Sequence, residues 1–397
     1  MKTIGSFVII VILTLAVTAY FPGCNESQNM KSAKENSPML KSLPDIIGST
    51  HVKGMYYLTD KDNLNEGADQ LLGMGSRVIK IWFYGKRPEH PEHVYSYNSN
   101  WPTVSSLVEG AKLPYFQDFF NKPFTTYIFC VTSLGRKDDY WVNGITLADL
   151  QDETRQFYEL TKYLLTAYQN TGKTFVLQHW EGDWMARMAN PNPFDENVDP
   201  APQVFQNMIA WLNARQAGVN KARLEVGQKG VRVYHAVEVN RVVKTMKEGK
   251  PNLIDQVVPY TFVDLVSYSS YDSIFAALDG HPELFAQSID FIKDHLPPSV
   301  VFGKNSLYIG EFGIPENEFS PQQIETVVTN VVETALAKDC PYIMYWQLYC
   351  NEPKPGVTIP TWNKDDLRGF WLIRPDGSHT WAYNYFANLC RSGGFNY

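Results

Sequence analysis

The sequence predicts an α/β protein, a closed (β/α)8 TIM barrel with enlarged loops at the C-terminal face of its strands. Short apolar, β-branched or aromatic runs alternate with stretches of helical periodicity, and this alternation favours a parallel sheet. Eight such units fit a barrel, and the segment 46–397 has a usual length for one with long loops. A doubly wound open sheet is the alternative, but no G-x-G-x-x-G pattern follows the first predicted strand.

The predicted strands are brief, as strands buried on both faces of a barrel are. In chain order they cover residues 54–58, 77–84, 125–132, 174–180, 231–239, 263–268, 306–310 and 342–348.

Helical patterns lie between most of these strands. Residues 321–338 carry apolar side chains along one helical face, with Ser320 as the N-cap and Gln323 completing a capping box. Two further helices are predicted, one over 146–169 and one around 204–212.

The N-terminal segment is typical of a secretory signal. Lys2 precedes the apolar run 4–21, and a polar stretch follows. Gly23-Cys24 resembles the end of a bacterial lipobox, so we expect a signal peptide over 1–23, a lipid on Cys24 and a flexible tether over 24–45. Cleavage after Ala19 and an uncleaved membrane anchor are the alternatives. The barrel, 46–397, would then be exported to the periplasm or the bacterial cell surface.

Composition excludes several classes of protein. Hydrophobic residues make up 44% of the chain, which is typical of a globular protein and not of a disordered one. The net charge of −7 argues against nucleic acid as a partner. The 10 Trp, 23 Tyr and 22 Phe exceed what a core usually requires, and exposed aromatic faces suit stacking on sugars.

The cysteines predict no metal site. Neither C-x-x-C nor H-E-x-x-H occurs, so we expect no metal and no organic cofactor. Cys130 lies in an apolar run and is predicted to be a buried thiol. Among the possible disulfides, Cys340–Cys390 is the pairing that the topology favours.

Carboxylates end two of the predicted strands. Glu181 follows strand four within Gln178-His179-Trp180-Glu181, and Glu311 follows strand seven within Gly310-Glu311-Phe312-Gly313. Strands four and seven lie across the barrel mouth from each other, so the two acids can face one another. A facing pair of carboxyl groups in an aromatic cleft is what cleavage of a glycosidic bond requires.

Three long connections leave the C-terminal ends of strands, the face on which barrels build their sites. They cover 85–123, 184–200 and 350–370. Their aromatic side chains are Tyr95, Tyr97, Trp101, Trp184, Phe194 and Trp362.

In these motifs the sequence resembles the large clan of retaining (β/α)8 glycoside hydrolases, clan A. Tyr308-Ile309-Gly310-Glu311-Phe312-Gly313 is similar to the strand-seven motif, which implies that Glu311 is the nucleophile. By the same resemblance Glu181 is the acid/base. The segment 263–271 is similar to the strand-six motif, which implies that Tyr271 hydrogen-bonds the nucleophile. Tyr345-Trp346 resembles the strand-eight Trp beneath the sugar, and 369–378 resembles a segment before the last helix.

The sequence departs from the clan at two positions. Trp180 stands where most members have an Asn that contacts the sugar, and Lys80 lies near the place of a usual Arg. The residues expected to bind substrate are Tyr271, Trp346, Trp180, Trp82, Lys80 and Trp184.

Alternatives remain open for the acid and for the function. Asp183 is a direct competitor of Glu181, and Glu238 is a weaker one. The expected activity is retaining hydrolysis of a β-linked oligo- or polysaccharide. The alternatives are a non-catalytic glycan-binding lipoprotein on a degenerate barrel and a metal-dependent hydrolase, and the missing His-x-His on strand one argues against the latter.

Overall fold

Eight parallel strands form a closed barrel in the computed structural model, which describes residues 42–52, 56–83, 102, 104–297, 299, 302–358 and 361–392. Each strand pairs with the next along the chain, and the last pairs with the first. The predicted (β/α)8 fold is therefore confirmed. The strands are β1 Ile47–His51, β2 Val78–Phe83, β3 Thr126–Val131, β4 Thr174–Gln178, β5 Arg232–Val239, β6 Leu265–Ser269, β7 Leu307–Phe312 and β8 Ile343–Tyr345.

The prediction for the first strand was wrong. Residues 56–58 are not in a strand, 54 and 55 lie outside the described residues, and β1 comes earlier, at Ile47–His51. Its Gly-Ser-Thr sequence gives no apolar run, yet all five residues are buried between β2 and β8. Ser49 is satisfied there because its Oγ donates to the Tyr345 carbonyl at 2.9 Å. A buried strand can therefore be polar when its neighbours accept its hydroxyl groups.

Helices follow most strands and cover the outside of the barrel. They are α1 Asn63–Met74, α2 Leu107–Ala111, α3 Pro114–Asn121, α4 Leu147–Ala167, α5 Gly182–Arg187, α6 Pro202–Val226, α7 Val242–Glu248, α8 Leu253–Gln256, α9 Tyr271–Ile274, α10 Glu283–Asp294, α11 Pro321–Ala337 and α12 Trp381–Ser392. Single 3-10 turns lie at Leu43–Asp45, Tyr140–Asn143, Val258–Tyr260, Phe275–Asp279, Gly303–Asn305 and Lys364–Asp366.

The capping prediction for α11 is confirmed. The Ser320 hydroxyl accepts from the Gln323 amide at 3.3 Å, and the Gln323 side chain accepts from the Ser320 amide at 2.9 Å. These two bonds satisfy amide groups that the first turn of a helix leaves without partners.

The barrel interior is built in layers. A compact apolar cluster fills its lower part, and two residues further along several strands a polar side chain replaces the apolar one. Because successive side chains alternate between faces, these polar groups point inward one layer higher. They are Lys80 above Val78, Gln178 above Val176, Glu238 above Ala236 and Ser267 above Leu265, and all four are buried.

The described residues, from 42 to 392, belong to one compact unit. Cys130, Cys340, Cys350 and Cys390 are all buried free thiols, so the prediction for Cys130 is confirmed and the predicted Cys340–Cys390 disulfide is wrong. Cys390 packs instead against Gly75 at the end of α1. Across the part of the chain that the structure describes, no helix combines the length and the apolar character needed to cross a bilayer.

Candidate active site

Glu181 lies just beyond β4, where the chain turns sharply into α5. Its backbone is in the left-handed region, with φ 38° and ψ 67°. This conformation is uncommon for a residue other than glycine and persists only where the surroundings enforce it. The Glu181 amide donates to Glu238 Oε1 at 2.9 Å, and Ser269 Oγ donates to Glu181 Oε1 at 3.3 Å. Backbone and carboxyl are thus both held.

Glu311 lies in β7, where the strand changes register against β6. Tyr268 pairs with Ile309 but Ser269 pairs with Glu311, so Gly310 is an extra residue. Such a bulge re-aims the side chain that follows it. The Glu311 carboxylate consequently contacts Lys80 inside the barrel, with Lys80 Nζ 3.4 Å from Oε2.

Lys80, expected to bind substrate, is fully buried beneath the carboxylates. Its ammonium group donates to Glu238 Oε2 and to the Gly310 carbonyl, each at 3.0 Å, and to Glu311. The three donors of the ammonium group are thereby used. Lys80 therefore contacts carboxylates on two strands rather than the surface of the cleft.

Glu238 is the residue that the sequence predicted least well. It was only a weak candidate for the acid, yet it lies at the centre of the site. Its Oε2 accepts from Gln178 Nε2 at 2.9 Å and from Ser267 Oγ at 2.7 Å, in addition to Lys80. The available signal was its position two residues after inward-facing Ala236 on β5, which places an acid in the barrel interior.

The two candidate catalytic acids differ in their electrostatic surroundings. Burial raises the pKa of Glu181 well above its usual value, and the charges of Glu311 and Glu238 add to this rise. Burial also raises the pKa of Glu311, to about 8, but Lys80 opposes the rise. Because Lys80 contacts Glu311 directly, Glu311 loses its proton before Glu181. Above about pH 8 the pair therefore consists of a carboxylate, Glu311, and a proton carrier, Glu181.

Three Trp rings form an aromatic wall, and the ring of one of them, Trp82, lies 5.8 Å from Lys80 Nζ. The Trp82 ring lies 5.7 Å from Trp346 and 6.4 Å from Trp180. Trp82 and Trp346 are buried, whereas Trp180 is 37% exposed. The Trp346 indole donates to Glu352 Oε1 at 2.7 Å, which fixes its plane. Three of the predicted substrate-binding residues are thus brought together.

Tyr271 begins α9, after β6, and packs edge-on against Phe370. Burial raises its pKa well above the usual value, and the charge of Glu311 contributes to the rise. Its hydroxyl has no hydrogen-bond partner among the described residues, so the bond to Glu311 that the resemblance implies is not formed here.

Trp184, the remaining predicted substrate-binding residue, packs against Phe194 and Arg241. Its ring lies 5.8 Å from Phe194, and the Arg241 guanidinium is 5.3 Å from its centre. Trp362 and Tyr57 form a further exposed aromatic pair, 5.6 Å apart. Tyr95, Tyr97 and Trp101 lie outside the described residues.

The carboxylate of Asp183, the alternative candidate for the acid, accepts hydrogen bonds from backbone amides. Its Oδ2 accepts from the amides of Asn240 at 2.8 Å and Arg241 at 3.3 Å, and Oδ1 accepts from the Leu253 amide at 2.8 Å. A carboxylate that satisfies three backbone amides fixes loops and cannot turn toward a substrate without leaving them unpaired. The geometry favours Glu181 as the proton carrier.

Metal-assisted chemistry has no ligand set in the described ranges, where no group of three or more His, Cys, Asp or Glu side chains is arranged to hold an ion. What the arrangement offers is two carboxyl groups of unequal pKa and a group of three packed Trp rings. Such a pair can donate a proton to a leaving oxygen and attack or activate water.

Comparison with known proteins gives a match by structure alone. No protein-family profile and no curated protein sequence matches the chain. The GH5_18 protein from Streptomyces cattleya, in complex with GlcNAc, superposes with a TM-score of 0.55 at 11% identity, over 89% of this chain and 81% of that one.

Two further solved structures have the same fold. GH5_18 from Bifidobacterium longum subsp. longum ATCC 55813 gives a TM-score of 0.53 at 14% identity, covering 87% of this chain and 79% of that one. The exo-beta-1,4-mannosidase Op5Man5 from Opitutaceae bacterium strain TAV5 gives 0.52 at 11% identity, covering 88% and 59%. Identities this low show a common fold.

Proposed function

We propose that this protein is a retaining glycoside hydrolase that cleaves a β-linked oligo- or polysaccharide. The observation that carries the proposal is the pair of acids, half-buried Glu181 and buried Glu311, of which only Glu311 contacts the Lys80 ammonium group. That asymmetry supports Glu311 as the nucleophile and Glu181 as the general acid, because a nucleophile must be ionised while a general acid must hold its proton.

In the proposed reaction Glu311 attacks the anomeric carbon while Glu181 protonates the departing glycosidic oxygen. A covalent glycosyl-enzyme results. Glu181, now a carboxylate, takes a proton from water as the water attacks the same carbon and frees Glu311. The two displacements restore the original anomeric configuration.

The structural neighbours support a carbohydrate substrate. One neighbour is described as an exo-beta-1,4-mannosidase, and another is in complex with GlcNAc. The aromatic wall of Trp82, Trp180 and Trp346 supports the same proposal, because indole faces stack on the apolar faces of sugars. No residue in the proposal needs a metal or an organic cofactor.

The test separates the two acids by their dependence on the leaving group. Glu181→Ala should retain formation of the glycosyl-enzyme from a dinitrophenyl glycoside, since this leaving group needs no proton. On a natural glycoside it should lose roughly 10²–10⁴-fold. Azide, which needs no general base, should restore turnover of Glu181→Ala and give a glycosyl azide of retained configuration. Glu311→Ala with azide should give the inverted product.

The matched comparison is Asp183→Asn, which alters the competing acid. We expect it to lower stability because it weakens the acceptor for three amides. It should show no azide rescue. If azide rescued Asp183→Asn while Glu181→Ala kept full activity on polysaccharide, the proton would come from Asp183.

A glycan-binding protein without activity is the second candidate, and Trp180 favours it, since it stands where the clan usually carries a sugar-binding Asn. A panel of polysaccharides, assayed for both affinity and product release, distinguishes the two. Affinity without hydrolysis on every substrate would contradict the proposed reaction.

We also propose that the protein is exported and anchored by a lipid on Cys24, as its N-terminal sequence predicts.

A further inference from the structure

We propose that Glu238 is a positioning residue that ties the backbone of Glu181 to the charge of Lys80 and thereby controls the ionisation of Glu311. The inference rests on the proposed function, because it concerns the same two acids. It goes beyond that function by adding a third carboxylate that touches neither the substrate nor the reacting atoms.

Glu238 holds the backbone of Glu181 through a hydrogen bond. Glu238 Oε1 accepts the Glu181 amide at 2.9 Å, and the Glu238 amide donates to His179 Nε2 at 3.2 Å. Glu181 lies between these contacts and α5 in a left-handed conformation that few non-glycine residues adopt. The carboxylate of Glu238 therefore holds the turn that presents the proton carrier to the cleft.

Glu238 also competes with Glu311 for the positive charge of Lys80. Glu238 Oε2 takes one of the three donors of Lys80 at 3.0 Å, and Glu311 Oε2 takes another at 3.4 Å. A single buried cation is thus shared by two carboxylates, and the shorter contact is with Glu238. Glu311 receives only part of the stabilisation that an undivided Lys80 would supply.

Gly310 permits this arrangement. A Cβ at Gly310 would lie 1.7 Å from Ser267 Oγ and 2.9 Å from Glu238 Oε2, so no side chain fits. The Gly310 carbonyl takes the third donor of Lys80.

Ionisable groups of this cluster come from β2, β3, β5 and β7 and from the segments after β4, β6 and β8. They are Lys80, Cys130, His179, Glu181, Glu238, Tyr271, Tyr308, Glu311 and Glu352.

Most of these groups are neutral. Burial raises the pKa of Cys130, Tyr271 and Tyr308 far above their usual values, and burial lowers that of His179 to about 4. Burial opposes ionisation of Glu238 as well, but Lys80 and the hydrogen bonds to its carboxylate lower its pKa below the usual value. Glu238 is therefore the ionised carboxylate beside Lys80, and its negative charge raises the pKa of Glu311.

The test is a titration of the protein itself. Carbon-13 is placed in the carboxyl carbon of glutamate and observed by NMR. The signal of Glu311 is identified because it disappears in Glu311→Gln. Replacing Glu238 by Gln removes a negative charge and leaves an amide oxygen for the Glu181 amide. We expect the Glu311 titration to move down by about one pH unit or more.

Ser267→Ala is the matched control, since it removes a donor to the same Glu238 oxygen without changing charge. It should move the Glu311 titration by much less than Glu238→Gln does. Equal positions for Glu311 in wild type and in folded Glu238→Gln would overturn the proposal.

The wild-type protein decides the question if Glu238→Gln fails to fold. The Glu238 carboxyl must then remain ionised throughout the pH range over which Glu311 titrates. A Glu238 that takes up a proton within or above that range would overturn the proposal.

Activity gives an independent reading. In Glu238→Gln the acidic limb of kcat/KM on a dinitrophenyl glycoside should move to lower pH by the same amount as the titration. If no glycoside is turned over by the wild type, the proposed function fails, whereas the carbon-13 titration still tests the role of Glu238.

Discussion

At the mouth of the barrel, the folded protein holds the carboxyl group of Glu181 where its ionisation is unfavourable. Glu181 is a half-buried acid whose carboxyl group accepts one hydrogen bond among the described residues, from Ser269, and has two carboxylates nearby. Ionising it in the folded protein is unfavourable, because burial removes water and Glu311 and Glu238 repel a further negative charge. Sites that bind or react often retain such groups at the expense of stability.

We therefore expect Glu181→Gln to stabilise the protein at neutral and alkaline pH. The folded-state pKa of Glu181 lies above its unfolded value, so the folded protein binds the extra proton and wild-type stability falls as pH rises above about 4.5. Gln carries no such penalty. Thermal unfolding should show a rise in Tm on the order of 2–4 °C at pH 8 and little difference near pH 4.

The control for this prediction is Glu333→Gln on the exposed face of α11. It should leave Tm unchanged across the same pH range. An equal gain for both variants, or a gain for Glu181→Gln that does not grow with pH, would contradict the electrostatic explanation.

At the scale of elements, the bulge in β7 aims the proposed nucleophile. Gly310 is the extra residue between Ile309 and Glu311, and its missing side chain leaves room for Ser267 Oγ and Glu238 Oε2. Without the bulge, strict alternation would turn Glu311 to the outside of the barrel.

Gly310→Ala should therefore disrupt the site. The added methyl group would overlap Ser267 Oγ, so we expect a loss of stability of roughly 1–3 kcal/mol, as overpacking typically gives, together with a large loss of kcat. Denaturant unfolding and kinetics on an activated glycoside measure the two effects.

Gly73→Ala, in α1, is the matched glycine substitution. Nothing lies within 4 Å of a Cβ built there, so it should raise stability by about 0.5–1 kcal/mol through helix propensity. Equal effects from the two glycine substitutions would argue against the packing explanation.

The cap of α11 provides an element-scale prediction remote from the site. Ser320→Ala removes the acceptor for the Gln323 amide and should lower the free energy of unfolding by about 1 kcal/mol, with kcat/KM unchanged. Ser320→Asp restores an acceptor and should recover most of the loss. If Ser320→Asp were as unstable as Ser320→Ala, the loss of the hydrogen-bond acceptor would not explain the change in stability.

At the scale of the whole molecule, buried histidines link folding to pH. Burial lowers the pKa of His51 and His179 to about 4 and that of His235 well below its usual value. The unfolded chain binds these protons and the folded protein does not. Their contribution to stability is therefore full above about pH 6.5 and is lost as pH falls below that value.

His235→Leu isolates one of these contributions. Neither ring nitrogen of His235 has a hydrogen-bond partner among the described residues. An apolar side chain of similar size should therefore stabilise the protein, and the gain should be larger at pH 5 than at pH 7.5. Exposed His281→Leu serves as the control and should show no such pH-dependent gain. Tm against pH is the measurement.

Anchoring is a further property of the whole chain. Cys24→Ser should abolish labelling by a fatty-acid probe in a bacterial host and release the protein from membranes. Labelling of the unaltered protein supplies the control. Unchanged membrane association of Cys24→Ser would favour an uncleaved N-terminal anchor.

The sequence by itself determined the barrel and much of its mouth. Alternating apolar strands and helices required a parallel sheet, and period-two alternation carried Lys80, Gln178, Glu238 and Ser267 to the inside of it. The cap of α11 was equally determined, because a capping box involves only neighbours in the chain. Such local rules act between residues that are close in the chain, so they can be predicted from the sequence alone.

Only the tertiary structure decided which polar side chains act on one another. Lys80 and Glu238 lie 158 residues apart in the chain and 3.0 Å apart in space. The bulge that turns Glu311 inward depends on pairing between β6 and β7, and the polar strand β1 is buried only because β2 and β8 enclose it. Burial raises the pKa of both Glu181 and Glu311, and the contact with Lys80 makes the two values differ. Both burial and this contact are properties of the closed barrel, not of any segment.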